Sequence, residues 1–397
     1  MSLTDTPRAN RLHIGIFGKR NSGKSSLVNA LTGQQAALVS QVAGTTADPV
    51  YKAMEIHGIG PCVFIDTAGF DDVGELGRLR VEKTEEAARK TDVALLVFSG
   101  GGLEEELAWL ARFREQKTPV IPVVNKADEG REEALALARR AGEACGAPAL
   151  LVSAATGEGI PALREALIRA LPEDFEQPSI TGALCGPGDQ VLLVMPQDIQ
   201  APKGRLILPQ VQTIRELLDK KCLVSCCTGD TLEQALASLA APPKLIITDS
   251  QIFRQVYDKK PPQSLLTSFS VLFAGYKGDL AYFAESAAAI GSLTEHSRVL
   301  IAEACTHAPL TEDIGREKIP RMLRKRAGEG LSVQMVSGTD FPQDLSGYDL
   351  IIHCGACMFN RKYVLARVEQ AKRQGVPMTN YGVAIAYLSG ILDKISW

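Results

Sequence analysis

The sequence predicts an α/β protein: an N-terminal phosphate-loop domain followed by two smaller α/β domains. Two observations carry this. Short apolar runs of strand length alternate with helical patterns from residue 12 onward, and such alternation gives right-handed crossovers and a mostly parallel sheet. Two turn-rich breaks then divide the pattern into three lengths.

In chain order, "LHIGIFG", "CVFIDTAG", "VALLVFSG", "VIPVVNK" and "ALLVSAA" read as buried strands. Helical patterns lie between them, and a last helix begins at Pro161 in its first turn and stops before Pro172. This bounds a first domain at 1–172. A Pro- and Gly-rich linker is expected over 173–188. The middle domain, 189–264, alternates "QVLLVMP", "CLVSCCTG" and "KLIITDS" with helices and ends at the break "DKKPPQS". The last domain, 265–397, contains "RVLIAEACTHA", "SVQMVSG", "YDLIIHCGAC" and a helix over roughly 360–374. No internal repeat is evident.

The composition narrows the function. The 397 residues are 45% hydrophobic and 22% charged, with a net charge of −3. No basic footprint of a nucleic-acid binder is present. The apolar runs are too short to cross a bilayer, and the start lacks a secretory pattern, so no membrane or export role is expected. Nine cysteines, an odd number spread along a long chain, argue for a reducing cytoplasm. In that compartment a close Cys pair points to metal or redox chemistry. Cys62, Cys145, Cys222, Cys226 and Cys227 read as packing residues instead.

"GKRNSGKS", 18–25, matches the phosphate loop and sits between a strand and a helix, the context that loop needs. Gly18, Asn21, Ser22 and Gly23 would turn backbone N–H groups onto the phosphates at a helix N-terminus. Lys24 would reach the β- and γ-phosphates, and Ser25, followed by Ser26, would ligate Mg²⁺. "DTAG" ends a strand, where Asp66 would hold Mg²⁺ through water and Gly69 would bond the γ-phosphate. "NKAD" gives Asn125, Lys126 and Asp128 at another strand end. Asp128 can accept two hydrogen bonds from guanine that adenine cannot make, which favours GTP over ATP. Ser153 and Ala154 follow the next strand and can offer a backbone N–H to the guanine O6. Four elements in order identify a P-loop GTPase domain that binds GTP and GDP.

This domain resembles the translation-factor-related GTPases of the Era, EngA and TrmE group. The resemblance rests on Asn21 and on "GTTADP", 44–49. It implies K⁺ beside the phosphates at Asn21, with Thr45 and Thr46 in the catalytic switch and Thr46 on Mg²⁺. Phe70 stands where Ras-like enzymes place a water-orienting Gln. K⁺ would then stand in for an arginine finger.

The second constellation is Cys305-x-His307 and His353-Cys354-x-x-Cys357. Each group follows a strand-like run, and the C-terminal ends of parallel strands converge on one edge where ligands bind. Gly355 is expected to make the tight turn, and the following helix to point N–H groups at the site. The donor set leaves two options: zinc with Cys₃His, or an iron–sulfur cluster with three Cys and one weaker ligand.

The GTPase motifs and this Cys/His set together resemble the HydF family, the maturation GTPases of iron-only (FeFe) hydrogenases, and the likeness covers the whole chain. It implies a 4Fe-4S cluster on Cys305, Cys354 and Cys357, with a labile fourth site for which His307 and His353 are candidates. It also implies a middle dimerisation domain and a homodimer. The family is a scaffold and carrier: it takes a transient di-iron precursor built with radical-SAM maturases and delivers it to apo FeFe-hydrogenase. The alternative is an Era- or TrmE-like ribosome-assembly or tRNA-modification GTPase with a structural zinc. It accounts for residues 11–172 equally well but leaves the Cys/His set unexplained.

Overall fold

The computed structural model describes residues 8–32, 49–56, 59–70, 75–100, 102–171, 179–196, 206–304, 314–356 and 358–397. The chain falls into two compact units, Met1–Glu176 and Gln177–Trp397.

The first unit carries β1 (Leu12–Gly18), β2 (Val50–Ile56), β3 (Gly60–Asp66), β4 (Val93–Phe98), β5 (Val120–Val124) and β6 (Leu150–Leu151). They form one sheet in the order β2-β3-β1-β4-β5-β6. All pairings are parallel except β2 against β3. β2 was not expected: "VYKAMEI" has no unbroken apolar run because it is a partly exposed edge strand. β1 and β4 are buried at every residue, since helices cover both faces. Alternation along β1 sends Leu12, Ile14 and Ile16 into one core with Leu27 and Leu163, and Phe17 into a second with Trp109 and Phe113. Helix Arg131–Cys145 ends where Gly146 takes φ +69° and its N–H bonds the Gly142 carbonyl, a left-handed cap that suits glycine.

The second unit holds two parallel sheets. β7 (Gln190–Val194), β8 (Leu223–Cys227), β9 (Leu245–Thr248) and β10 (Leu265–Ser268) form the middle sheet, in the order β10-β9-β7-β8. β11 (Arg298–Glu303), β12 (Ser332–Ser337), β13 (Leu350–His353) and β14 (Met378–Asn380) form the C-terminal sheet, in the order β12-β11-β13-β14. Counted within each sheet, both orders are 2-1-3-4. The topology therefore repeats although the sequence does not, because crossover handedness and apolar runs set it rather than residue identity.

Two expected boundaries shift. β10 pairs with β9, so the middle sheet runs past residue 264, and "DKKPPQS" is a crossover turn rather than a break between domains. Residues 179–188 are anchored rather than a free linker: Glu216 accepts from the amides of Ile180 and Thr181 and from Ser179 Oγ. Helix Phe269–Lys277 is buried on both sides. Phe269, Phe273 and Tyr276 pack on Val191 and Ile247, while Val271 and Ala274 join a core that runs from Leu192 and Ile246 to Val299, Ile301 and Ile351. The middle and C-terminal sheets thus share one core. Cys62 and Cys222 are buried as expected, whereas Cys226 is exposed. Among the described residues, no helix is long and apolar enough to cross a membrane.

Candidate functional site

The phosphate loop joins β1 to helix Lys24–Thr32. Asn21 and Gly23 take φ +60° and +86°. A Cβ on Gly23 would lie 2.2 Å from Asn125 Nδ2, so only glycine fits there. Lys24 is 7% exposed, and its Nζ donates to the carbonyls of Gly18 (2.9 Å) and Lys19 (2.8 Å). Its ammonium is therefore already inside the loop that would cradle phosphates.

Ser25 Oγ donates to Asp66 Oδ2 at 2.6 Å across the β1–β3 edge. Asp66 is 6% exposed, and its Oδ1 has no hydrogen-bond partner among the described residues. Burial raises the Asp66 pKa, opposed by the Ser25 hydrogen bond and the charges of Lys24 and Lys52. A buried, half-satisfied carboxylate oxygen beside a serine hydroxyl fits a hard dication bound by oxygen. Ser25 and Asp66 would hold Mg²⁺ here. Gly69 is buried just beyond β3, and Ser26 is partly buried in the first turn of the helix.

At the ends of β5 and β6, Asn125 ties the base and phosphate loops together. Its Nδ2 donates to Ser22 O (3.1 Å) and Gly23 O (3.4 Å), and its Oδ1 accepts from Ala154 N (3.0 Å). Lys126, at φ +64°, is exposed and pairs with Glu129 at 3.3 Å. Asp128 is exposed, and a hydrogen bond from Ser153 holds its carboxyl below the usual range. Ser153 itself is buried and caps the turn through Thr156 N (3.1 Å). Asn125→Ala should weaken both GDP and GTP binding by about 10²-fold, since each orphaned buried backbone group costs about 1–3 kcal/mol. Titration with a fluorescent nucleotide measures this; unchanged affinity would remove Asn125 from the site.

Sequence reasoning missed two cations here. Lys19 Nζ lies 3.1 Å from both Glu105 and Glu106 and donates to Gly102 O at 2.7 Å, fastening the phosphate loop to helix Glu104–Glu115. Burial works against the Lys19 charge, but the hydrogen bonds and charges of Glu106 and Glu105 outweigh it and raise the pKa. Lys52, on the unexpected β2, donates to Asn29 Oδ1 (3.2 Å), and its charge acts on Asp66. A lone Lys in a partly exposed run gives no signal by itself. Phe70 is 8% exposed and stacks on Trp109, with centroids 5.6 Å apart. It is a core residue and cannot orient water. Thr45 and Thr46 lie outside the described residues.

The second site is at the C-terminal ends of β11 and β13, the switch point of a 2-1-3-4 sheet, where crevices open. Cys354 Sγ accepts from Ala304 N (3.0 Å) and Ala356 N (3.4 Å). Ala356 has φ +51°, a strained value for a residue with a side chain. The expectation for Gly355 is corrected: the left-handed turn falls on Ala356. At the first turn of helix Arg361–Arg373, Asn360 Oδ1 accepts from Tyr363 N (3.2 Å). Two N–H groups aimed at one sulfur stabilise a thiolate, so Cys354 fits a soft-metal site.

His353 is 1% exposed and committed on both sides. Nδ1 is 2.8 Å from Cys354 O, and Nε2 is 2.9 Å from Arg367 Nη1. Burial, reinforced by the Arg367 charge and opposed by the Cys354 carbonyl, lowers its pKa to about 3. Cys305, His307 and Cys357 lie outside the described residues. Among the described residues no three His, Cys, Asp or Glu groups are gathered for a metal.

Residues 180–278 match the family model described as Hydrogen maturase F dimerization domain, and residues 281–396 match Hydrogen maturase F tetramerization domain. Together they span more than half of the chain. The chain belongs to the hydrogen maturase F family. Residues 13–126 match the model of the 50S ribosome-binding GTPase, so the first unit of this hydrogen maturase F chain is a GTPase domain. The tetramerisation domain was not expected from the sequence. The tRNA modification GTPase MnmE of Azoarcus sp. is 39% identical over 162 residues, which is 40% of this chain and 34% of that one. GTPase Der of Wolinella succinogenes is 37% identical over 177 residues, 42% and 37% of the two chains. The chain thus spans about a third of the length of these curated relatives. A crystal structure of Aquifex aeolicus Era bound to GDP·AlF₄⁻ is 19% identical, with TM-score 0.37, covering 57% of this chain and 98% of that one.

Proposed function

We propose that this hydrogen maturase F chain is a GTP hydrolase and iron–sulfur scaffold. Cys305, Cys354 and Cys357 hold a 4Fe-4S cluster whose fourth iron site is labile. On that site the protein accepts a di-iron precursor from radical-SAM maturases and delivers it to apo FeFe-hydrogenase. It works as a cytoplasmic homodimer with further assembly through its C-terminal domain. The observation that carries the reading is the Cys354 sulfur, fixed by two backbone amides at the β11–β13 crevice of a chain that belongs to this family. Cys305, Cys354 and Cys357 would hold the cluster through three thiolates, which would leave one iron with exchangeable ligation.

In the GTPase unit, Lys24 would reach the β- and γ-phosphates, Ser25 and Thr46 would hold Mg²⁺, Asp66 would act on it through water, and Gly69 would bond the γ-phosphate. Thr45 and Thr46 are the candidate switch residues, and Asn21 would bind K⁺. Phe70, buried and stacked on Trp109, cannot orient water as a Gln would, and K⁺ would supply the charge of an arginine finger. GTP turnover should therefore be at least about tenfold faster in K⁺ than in Na⁺, about 1.4 kcal/mol of barrier. Equal rates in the two salts would remove K⁺ from the mechanism.

The scaffold reading is tested by mixing protein isolated anaerobically from cells making the radical-SAM partners with purified apo-hydrogenase. Hydrogen evolution should appear, and should fail with protein isolated without those partners. A preparation carrying one tight zinc and no iron after reconstitution would overturn the reading.

A further inference from the structure

We propose that Arg367 is the positioning residue of the cluster loop and the reason His353 is not an iron ligand. The inference deepens the scaffold reading and rests on it. Arg367 lies on helix Arg361–Arg373 and is only 3% exposed, so its charge needs partners inside the protein. Nη1 reaches His353 Nε2 at 2.9 Å, and Nη2 donates to Gly338 O at 2.6 Å. The guanidinium also lies over the rings of Phe341, Phe359 and Tyr363, at 4.7, 4.8 and 4.8 Å.

A guanidinium donates hydrogen bonds and never accepts. Nε2 must therefore present its lone pair to Arg367, which leaves the ring proton on Nδ1. Nδ1–H then donates to Cys354 O. One line of hydrogen bonds runs from a buried arginine through His353 to the backbone of Cys354, whose sulfur is fixed by Ala304 N and Ala356 N. The loop is set from inside the protein, as an outer shell does for ligands elsewhere. For Nε2 to bind iron, it would have to release the Arg367 guanidinium. For Nδ1 to bind iron, it would have to give up its proton and the Cys354 carbonyl. The fourth iron position is thereby kept for a ligand other than His353.

Two measurements test this. In iron-free protein labelled with ¹⁵N-histidine, the nitrogen shifts of His353, assigned with His353→Asn, should show a neutral ring protonated at Nδ1. Arg367→Met should lose that signature, and Arg367→Lys should retain it in part. In reconstituted, reduced protein, pulsed EPR should show no histidine ¹⁵N coupling that His353→Asn removes. Arg367→Met should create such a coupling, and the Arg367→Met/His353→Asn double variant should abolish it. An Nε2–H tautomer in the iron-free protein, or a wild-type coupling lost in His353→Asn, overturns the proposal. If Arg367→Met does not fold, these two wild-type comparisons still decide it. Failure of the wild type to bind any cluster would instead sink the scaffold reading, and the tautomer would still judge Arg367.

Discussion

Cys354→Ser should empty the cluster site, taking reconstituted iron from about four atoms per chain to below about one. Thiolate softness is what selects iron–sulfur clusters, and a serine hydroxyl stays protonated at neutral pH and binds soft metal poorly. Ala304 N and Ala356 N would still find an oxygen to donate to, so the loop loses its metal ligand but keeps its polar partners. GTP turnover should stay within about twofold, because the GTPase motifs lie in the other compact unit. Iron, sulfide and low-temperature EPR after reduction give the first result, and phosphate release gives the second. Full retention of iron would place the cluster elsewhere. An equal loss of GTP turnover would mean that the substitution disrupts folding rather than ligation.

Asp128→Asn should exchange base specificity: GTP affinity falls by about 10²–10³-fold and XTP becomes a ligand. Guanine offers two donors at this edge, and a hydrogen bond to a charged group contributes about 1.5–3 kcal/mol. An asparagine amide presents a donor where one of those acceptors stood, which suits the xanthine carbonyl. Asp128 is prepared for the role. It is exposed, and Ser153 lowers its pKa. With a depressed pKa the carboxylate persists at and above the ordinary carboxylate range, so GTP affinity should be flat through neutral pH. It should be lost only as pH falls through that lowered value. Competition titrations of GTP, ATP and XTP against a labelled GDP read this directly. An Asp128→Asn variant that still prefers GTP would assign guanine recognition to other residues.

Much of the first unit was legible because its motifs state their own context. "GKRNSGKS" needs a strand before it and a helix after it, and β1 and helix Lys24–Thr32 supply them. The buried runs of β1, β4 and β5 gave the sheet. β2 escaped because an edge strand lacks a buried run, and Lys52 was hidden with it. Lys19 escaped because an ion pair to Glu106, 87 positions away, leaves no local pattern. In the second unit six strands were legible, but β10, β14 and the burial of helix Phe269–Lys277 between two sheets were not. Pro261 and Pro262 look the same in a crossover turn as in a linker.

The sequence by itself determined the nucleotide class, the strand ends that carry each motif and the Cys/His pattern of the second site. It did so because phosphate loops, guanine-reading acids and thiolate pairs depend on residue type at short spacing. Only the tertiary structure shows what surrounds His353. Its position beside Cys354 made it a candidate ligand, and no local pattern distinguishes a ligand from a buried relay. Arg367, 14 residues later on a helix, occupies Nε2. Which groups meet the two nitrogens of that buried ring follows from packing across the fold, which local spacing does not record.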